Sequence, residues 1–228
     1  MADEADLIVA ASEQDANLYY ATRFWAPDPF IFLQMNGRKI LVMSDLEVDR
    51  AKSEARADEV LSLSRLQAKA RQGGVERPGT AEVLDLLFRE RNVSRLRVPA
   101  GFPVAFADRL RGQGYTLEVG QEPFFPERTV KKPEEVEAIR ETARLTEEAL
   151  RTTVDLIAQA EILGDELWLR ERPLTSELLR KTLHLTLLGS DCLARETIVA
   201  GGTQACDPHC IGTGTLKAHW PIVLDVFP

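Results

Sequence analysis

Between residues 133 and 160, side chains that favour burial recur at alternating three- and four-residue steps: Val136, Ile139, Ala143, Thr146, Leu150, Thr153, Ile157 and Ala160. That spacing lays them along one stripe of a single α-helix. Pro133 suits the first helical position, and Glu134, Glu135 and Glu137 favour the positive end of the helix dipole. At 1.5 Å per residue the helix would run on the order of 40 Å. A continuous stripe of that length has to be covered. The segment before it reads as a domain with its own core, so the chain is expected to fold as two pieces.

The first piece, residues 1–121, alternates strand-like and helix-like patterns. Two apolar runs, 30–34 and 39–43, flank Asn36-Gly37, a strong short-range hairpin signal. Ser44 or Asp45 can cap a helix over 46–55 whose apolar side is Leu46, Val48 and Ala51. Further strands are predicted at 60–63, 96–98 and 115–119, and helices at 80–91 and 102–112. Repeated β-α-β alternation predicts a sheet with helices on its faces. Residues 122–132 read as a linker, broken by Pro123 and Pro126 and anchored to one domain by Phe124 and Phe125.

The second piece, residues 133–228, continues after the long helix with a second helix that starts at Thr175 and ends at Gly189. Two β-type runs close it, 197–200 and 222–224. The second delivers one carboxylate, Asp225, three residues before the chain stops.

The net charge of -8 disfavours a nucleic-acid backbone or an anionic membrane as partner. The N-terminus carries Asp3, Glu4 and Asp6 where a signal peptide needs basic residues, and no apolar stretch approaches the roughly 20 residues of a membrane span. A cytoplasmic location is expected. Three cysteines, Cys192, Cys206 and Cys210, cannot all pair within the chain and make no disulfide scaffold.

Taken alone, Asp225 reads as a strand-end carboxylate accepting backbone hydrogen bonds, and His209 as a turn residue after Asp207-Pro208. The 16-residue step between them suits two neighbouring strands joined through 212–216, which would bring both side chains into one cleft. Cys206, His209 and Cys210 crowd one turn, but structural zinc normally needs four ligands and Cys192 would have to swing in. His184, His219 and Trp220 read as packing or loop residues.

Read together, LYYATRF (18–24), VKKPEEVEAIR (130–140), PLTSEL (173–178), TIVAGG (197–202), DPH (207–209) and IVLDVFP (222–228) resemble, in order, the pita-bread metallopeptidases: aminopeptidase P, prolidase, creatinase and methionine aminopeptidase. The resemblance implies an α/β creatinase-type N-terminal domain followed by an incomplete α+β pita-bread catalytic domain, in a chain cut off inside its active centre. It implies that Asp225 is the first metal ligand and that His209 is the active-site histidine, contacting the scissile carbonyl or the tetrahedral intermediate. Two divalent ions (Mn, Co or Zn) would be the cofactors, with the remaining ligands downstream and absent. The implied activity is hydrolysis of the N-terminal peptide bond of short peptides with proline second, by a homodimer, with the chain as given inactive. The alternative is a non-catalytic fragment whose N-terminal domain binds an oligomer partner. Creatinase-type C–N hydrolysis without metal also stays open, and the presence of Asp225 argues mildly against it.

Overall fold

The computed structural model describes residues 3–228, which divide into two compact units, the first ending at Val130 and the second beginning at Lys131. The first unit is a six-stranded sheet. Its strands are β1 (Asp3–Ala10), β2 (Phe30–Met35), β3 (Arg38–Met43), β4 (Glu59–Ser62), β5 (Val93–Val98) and β6 (Thr116–Val119), in spatial order β4-β3-β2-β1-β5-β6. Only β2 runs antiparallel to its neighbours. β2 and β3 pair from Met35↔Arg38 outward across Asn36 (φ 49°) and Gly37 (φ 75°), the left-handed pair that a tight two-residue hairpin requires.

Alternation along the strands sends side chains into two cores. Leu7, Leu33, Ile40 and Val42 face helices α3 (Leu63–Gln72), α4 (Thr80–Arg91) and α5 (Val104–Gly112). Ile8, Phe32, Leu41 and Met43 face α1 (Ala16–Thr22) and α2 (Val48–Glu54). A sheet covered on both faces explains why these strands read as nearly unbroken apolar runs. Phe124 and Phe125 are buried in the second of these cores. Arg97 lies over the Phe124 ring at 4.5 Å while its guanidinium grips Asp6 at 2.6 and 2.8 Å, joining β5, β1 and the segment after β6.

Two expectations fail here. Asp45 does not cap α2, which starts at Val48 with no side-chain cap; its carboxylate instead accepts from Ser62 Oγ at 2.5 Å. Leu46 is 92% exposed and contributes nothing to the apolar side of α2. Helix α3 was not anticipated, because Leu66 and Ala70 are its only buried residues and its composition is otherwise strongly polar.

The second unit is built on α6 (Pro133–Ala158), with β7 (Glu161–Leu163), β8 (Glu166–Leu169) and β9 (Arg172–Pro173) as a small antiparallel sheet. It continues with α7 (Ser176–Leu188), capped by Thr175 Oγ1 and closed at Gly189, and the antiparallel pair β10 (Arg195–Gly201) and β11 (Ile222–Phe227). Ala149, Leu179, Leu183, Leu187 and Val199 form its core. The α6 stripe is not continuously buried as expected. Ala149 and Thr153 are its only buried residues, while Val136 and Ile139 are 40% and 55% exposed. The second unit's core reaches the helix from Leu145 onward, while Ala138, Ile139, Thr142 and Ala143 of the first half only line an open cleft with Val226, Phe227 and Pro228. Among the described residues no helix is long and apolar enough to cross a membrane.

Candidate functional site

Strand register decides where Asp225 points. It stands opposite Ile198, so the two side chains share one face of the β10–β11 ladder. Between Arg195 and Ile198 the ladder carries a bulge, with Glu196 in the left-handed region at φ 52°. Glu196, two residues before Ile198 on the same strand, lines the same cleft as Asp225. This cleft, of about 450 Å³, is lined by Glu196, Ile198, Pro208, His209, Ile211, Asp225 and Phe227. Asp225 is half-buried and His209 exposed.

The expected layout of two strands joined through 212–216 does not occur. His209 lies in the loop after a 3₁₀ turn (Gly202–Cys206), and the strand beside β11 is 195–201. The cleft nonetheless receives both side chains, because the loop is fastened at several points. Gln204 clasps Thr213, its amide donating to the Thr213 carbonyl at 3.1 Å and its oxygen accepting from the Thr213 N–H at 2.9 Å. From α7, Arg180 donates to the carbonyls of Ile211 and Gly212 at 2.6 and 3.1 Å. Both Glu177 carboxylate oxygens accept from Gly214 N–H at 3.0 and 3.1 Å, the main reason its carboxyl is held below the usual range. Val199 N–H donates to the Ile211 carbonyl at 3.1 Å, seating the loop on β10. Within the loop, Asp207 Oδ1 accepts from His209 N–H at 3.0 Å.

Gly212 is where the loop meets the strand. Its φ is +80°, and a Cβ there would lie 1.7 Å from the Val199 carbonyl oxygen. Only glycine allows that approach.

Asp225, Glu196 and His209 share the cleft, yet among the described residues no three His, Cys, Asp or Glu are grouped so as to hold an ion. Cys206, His209 and Cys210 make no such group either, and all three cysteines are free. The described residues therefore do not by themselves fit a metal centre. Glu196 is a residue that the sequence reading missed: it stands two residues before Ile198, and the period of two along a strand already sets it on the face of Asp225. Thr197 beside it is buried with its Oγ1 unpartnered among the described residues.

No protein-family model matches the sequence, and no curated protein matches it. Solved structures do. The X-Pro aminopeptidase of Thermotoga maritima superposes with a TM-score of 0.72 at 18% identity, covering 98% of this chain and 58% of that one. The fold is that of the pita-bread peptidases. The Xaa-Pro dipeptidase of Bacillus anthracis gives 0.73 at 12% identity (98% and 56% covered). The prolidase of Pyrococcus furiosus gives 0.71 at 14% (97% and 57%). This chain spans a little over half the length of these pita-bread structures. Identities this low speak for the fold and not for the chemistry.

Proposed function

We propose that the protein to which this chain belongs is a metal-dependent hydrolase of the Xaa-Pro peptidase type, cutting the N-terminal peptide bond of short peptides with proline at the second position. The observation that carries this is one cleft holding Asp225 and His209 together, on a fold shared with peptidases. We assign residues 1–121 to a creatinase-type domain, 122–132 to a linker and 133–228 to part of the catalytic domain, in a cytoplasmic homodimer.

In this reading Asp225 supplies one ligand to a pair of Mn, Co or Zn ions. Among the described residues no group of three donors surrounds Asp225, so it would be one ligand of a set completed elsewhere. His209, exposed at the mouth of the cleft, donates a hydrogen bond to the substrate carbonyl as negative charge builds on its oxygen. The clasp of Gln204, Arg180 and Glu177 holds the loop that presents it.

The missing donors favour a second reading for the 228 residues alone: a folded, non-catalytic piece that binds a partner through its first unit. One assay separates the two. Hydrolysis of Xaa-Pro dipeptides and tripeptides with Mn(II) or Co(II) is measured for this chain and for the full-length gene product. The peptidase reading expects turnover by the full-length product, abolished by Asp225→Ala, and none by this chain. Inactivity of both, in folded protein, would sink it.

A further inference from the structure

All the parallel strands of the first unit finish at one end of the sheet, and there lies a partly open cavity of about 250 Å³. Val9 lines it from the end of β1, Val42 from the end of β3, and Leu63 from just past β4. Phe106 of α5 closes the wall, and the hydroxyl-bearing Ser44 and Thr80 complete it. In open sheets built from parallel strands, ligands bind outside the carboxyl ends of the strands, in pockets that are mainly apolar with a few polar groups. This cavity has that position and that lining.

Two features specify the chemistry of an occupant. Neither the Ser44 nor the Thr80 hydroxyl has a hydrogen-bond partner among the described residues, although Ser44 uses its carbonyl to receive the N–H groups of Glu47 and Val48. None of the residues lining the cavity is acidic or basic. The nearby helix starts are already occupied: Gly79 N–H donates to Glu82 Oε2 at 2.8 Å, and Ser62 Oγ accepts from Arg65 N–H at 3.2 Å. An ion entering here would shed its hydration without gaining a counter-charge. An uncharged head would meet two free hydroxyls.

We propose that this cavity is a binding site for a small uncharged molecule with an aromatic or branched aliphatic body and one hydrogen-bonding head, an alcohol or primary amide. The site lies wholly in the first unit and does not depend on the peptidase reading.

The probes are 2-phenylethanol and 4-methylpentan-1-ol, with phenylacetate as the anionic counterpart, titrated into the 228-residue chain and followed by amide chemical shifts. Saturable one-to-one binding of the alcohols is expected, with shifts centred on Ser44, Leu63 and Thr80 and phenylacetate weaker by about tenfold or more. Leu63→Phe, which fills the space, should abolish binding at unchanged Tm. Thr80→Val, which removes one hydroxyl at constant shape, should weaken it by about five- to tenfold. The proposal is overturned by no saturable shift up to about 10 mM, a concentration that reports even very weak affinity. It is equally overturned by phenylacetate binding as well as the alcohols, or by folded Leu63→Phe binding undiminished. Should Leu63→Phe fail to fold, unchanged affinity in Thr80→Val overturns it.

Discussion

Gly212 and Gly214 share nearly one backbone conformation, φ +80° and +77°, but not one environment. An alanine at 214 would meet nothing within 4 Å. At 212 its Cβ would fall 1.7 Å from the Val199 oxygen, 2.5 Å from the Val199 carbonyl carbon and 2.8 Å from Ala200 Cα. Forcing an L-residue into the left-handed region costs about 1–2 kcal/mol, and both substitutions bear that. Only Gly212→Ala adds the overpacking cost, typically about 1–3 kcal/mol, because the obstruction is backbone and cannot rotate away. Moving the loop off β10 would also break the Val199–Ile211 hydrogen bond, worth about 1 kcal/mol. The expected gap between the two variants is therefore about 2–4 kcal/mol. Urea unfolding followed by Trp168 and Trp220 fluorescence in a Trp25→Phe background reports on the second unit. At a slope of about 1 kcal/mol/M for a unit this small, the midpoints should differ by about 2 M or more. Equal midpoints would show that the loop is not wedged against β10, and the placing of His209 beside Asp225 would fall with it.

Tyr115 donates to Asp85 Oδ1 at 2.7 Å, and burial, reinforced by Asp85, pushes its phenol up to about 12. Its stabilising contribution is complete below the unfolded phenol's value of about 10 and is lost as pH rises through about 12. The stability difference between wild type and Tyr115→Phe should accordingly narrow across that window, and a constant difference would contradict the assignment. Gln204→Ala removes the hydrogen bonds of the Thr213 clasp, so amide exchange over 207–213 should speed up by about tenfold while 195–201 keeps its protection. No change over 207–213 would mean that the remaining ties suffice. Val136, Ile139, Val223 and Phe227 are exposed in the second unit, so sizing chromatography should show concentration-dependent association that Ile139→Lys with Phe227→Lys reduces. A monodisperse monomer with strong exchange protection across 195–226 would refute this.

Where side chains obey local rules, sequence and structure coincide. Asn36-Gly37 places the hairpin, Thr175 and Gly189 bound α7, and the periodicity of 80–91 gives α4 to the residue. The failures have separate physical causes. Strands β7 to β9 have three, four and two residues, too short for periodicity to register, and depend on pairing with one another. Asp45 is a competent N-cap by type, yet a hydroxyl 17 residues away claims its carboxylate. The α6 stripe has the pattern of burial throughout, but pattern states only which face would be covered. Whether anything covers it is a tertiary fact, and for Val136 and Ile139 the answer is exposure.

The candidate site shows the same division in sharper form. That Asp225 ends an apolar run and shares a cleft with His209 is expected from the sequence, but the connection expected to join them, one strand directly to the next, does not occur. What brings them together is a set of hydrogen bonds from α7 to backbone groups 31 to 37 residues further on. Arg180 and Glu177 lie three apart, and a helix sets such residues on one side. In sequence they look like an ordinary solvated pair. Their partners are carbonyls and an N–H, which every loop possesses and no side-chain pattern marks. A loop carrying a candidate catalytic residue is thus positioned by groups with no sequence signature of their own. The one exception is Gly212, whose missing side chain is the requirement, and substituting it tests the whole arrangement.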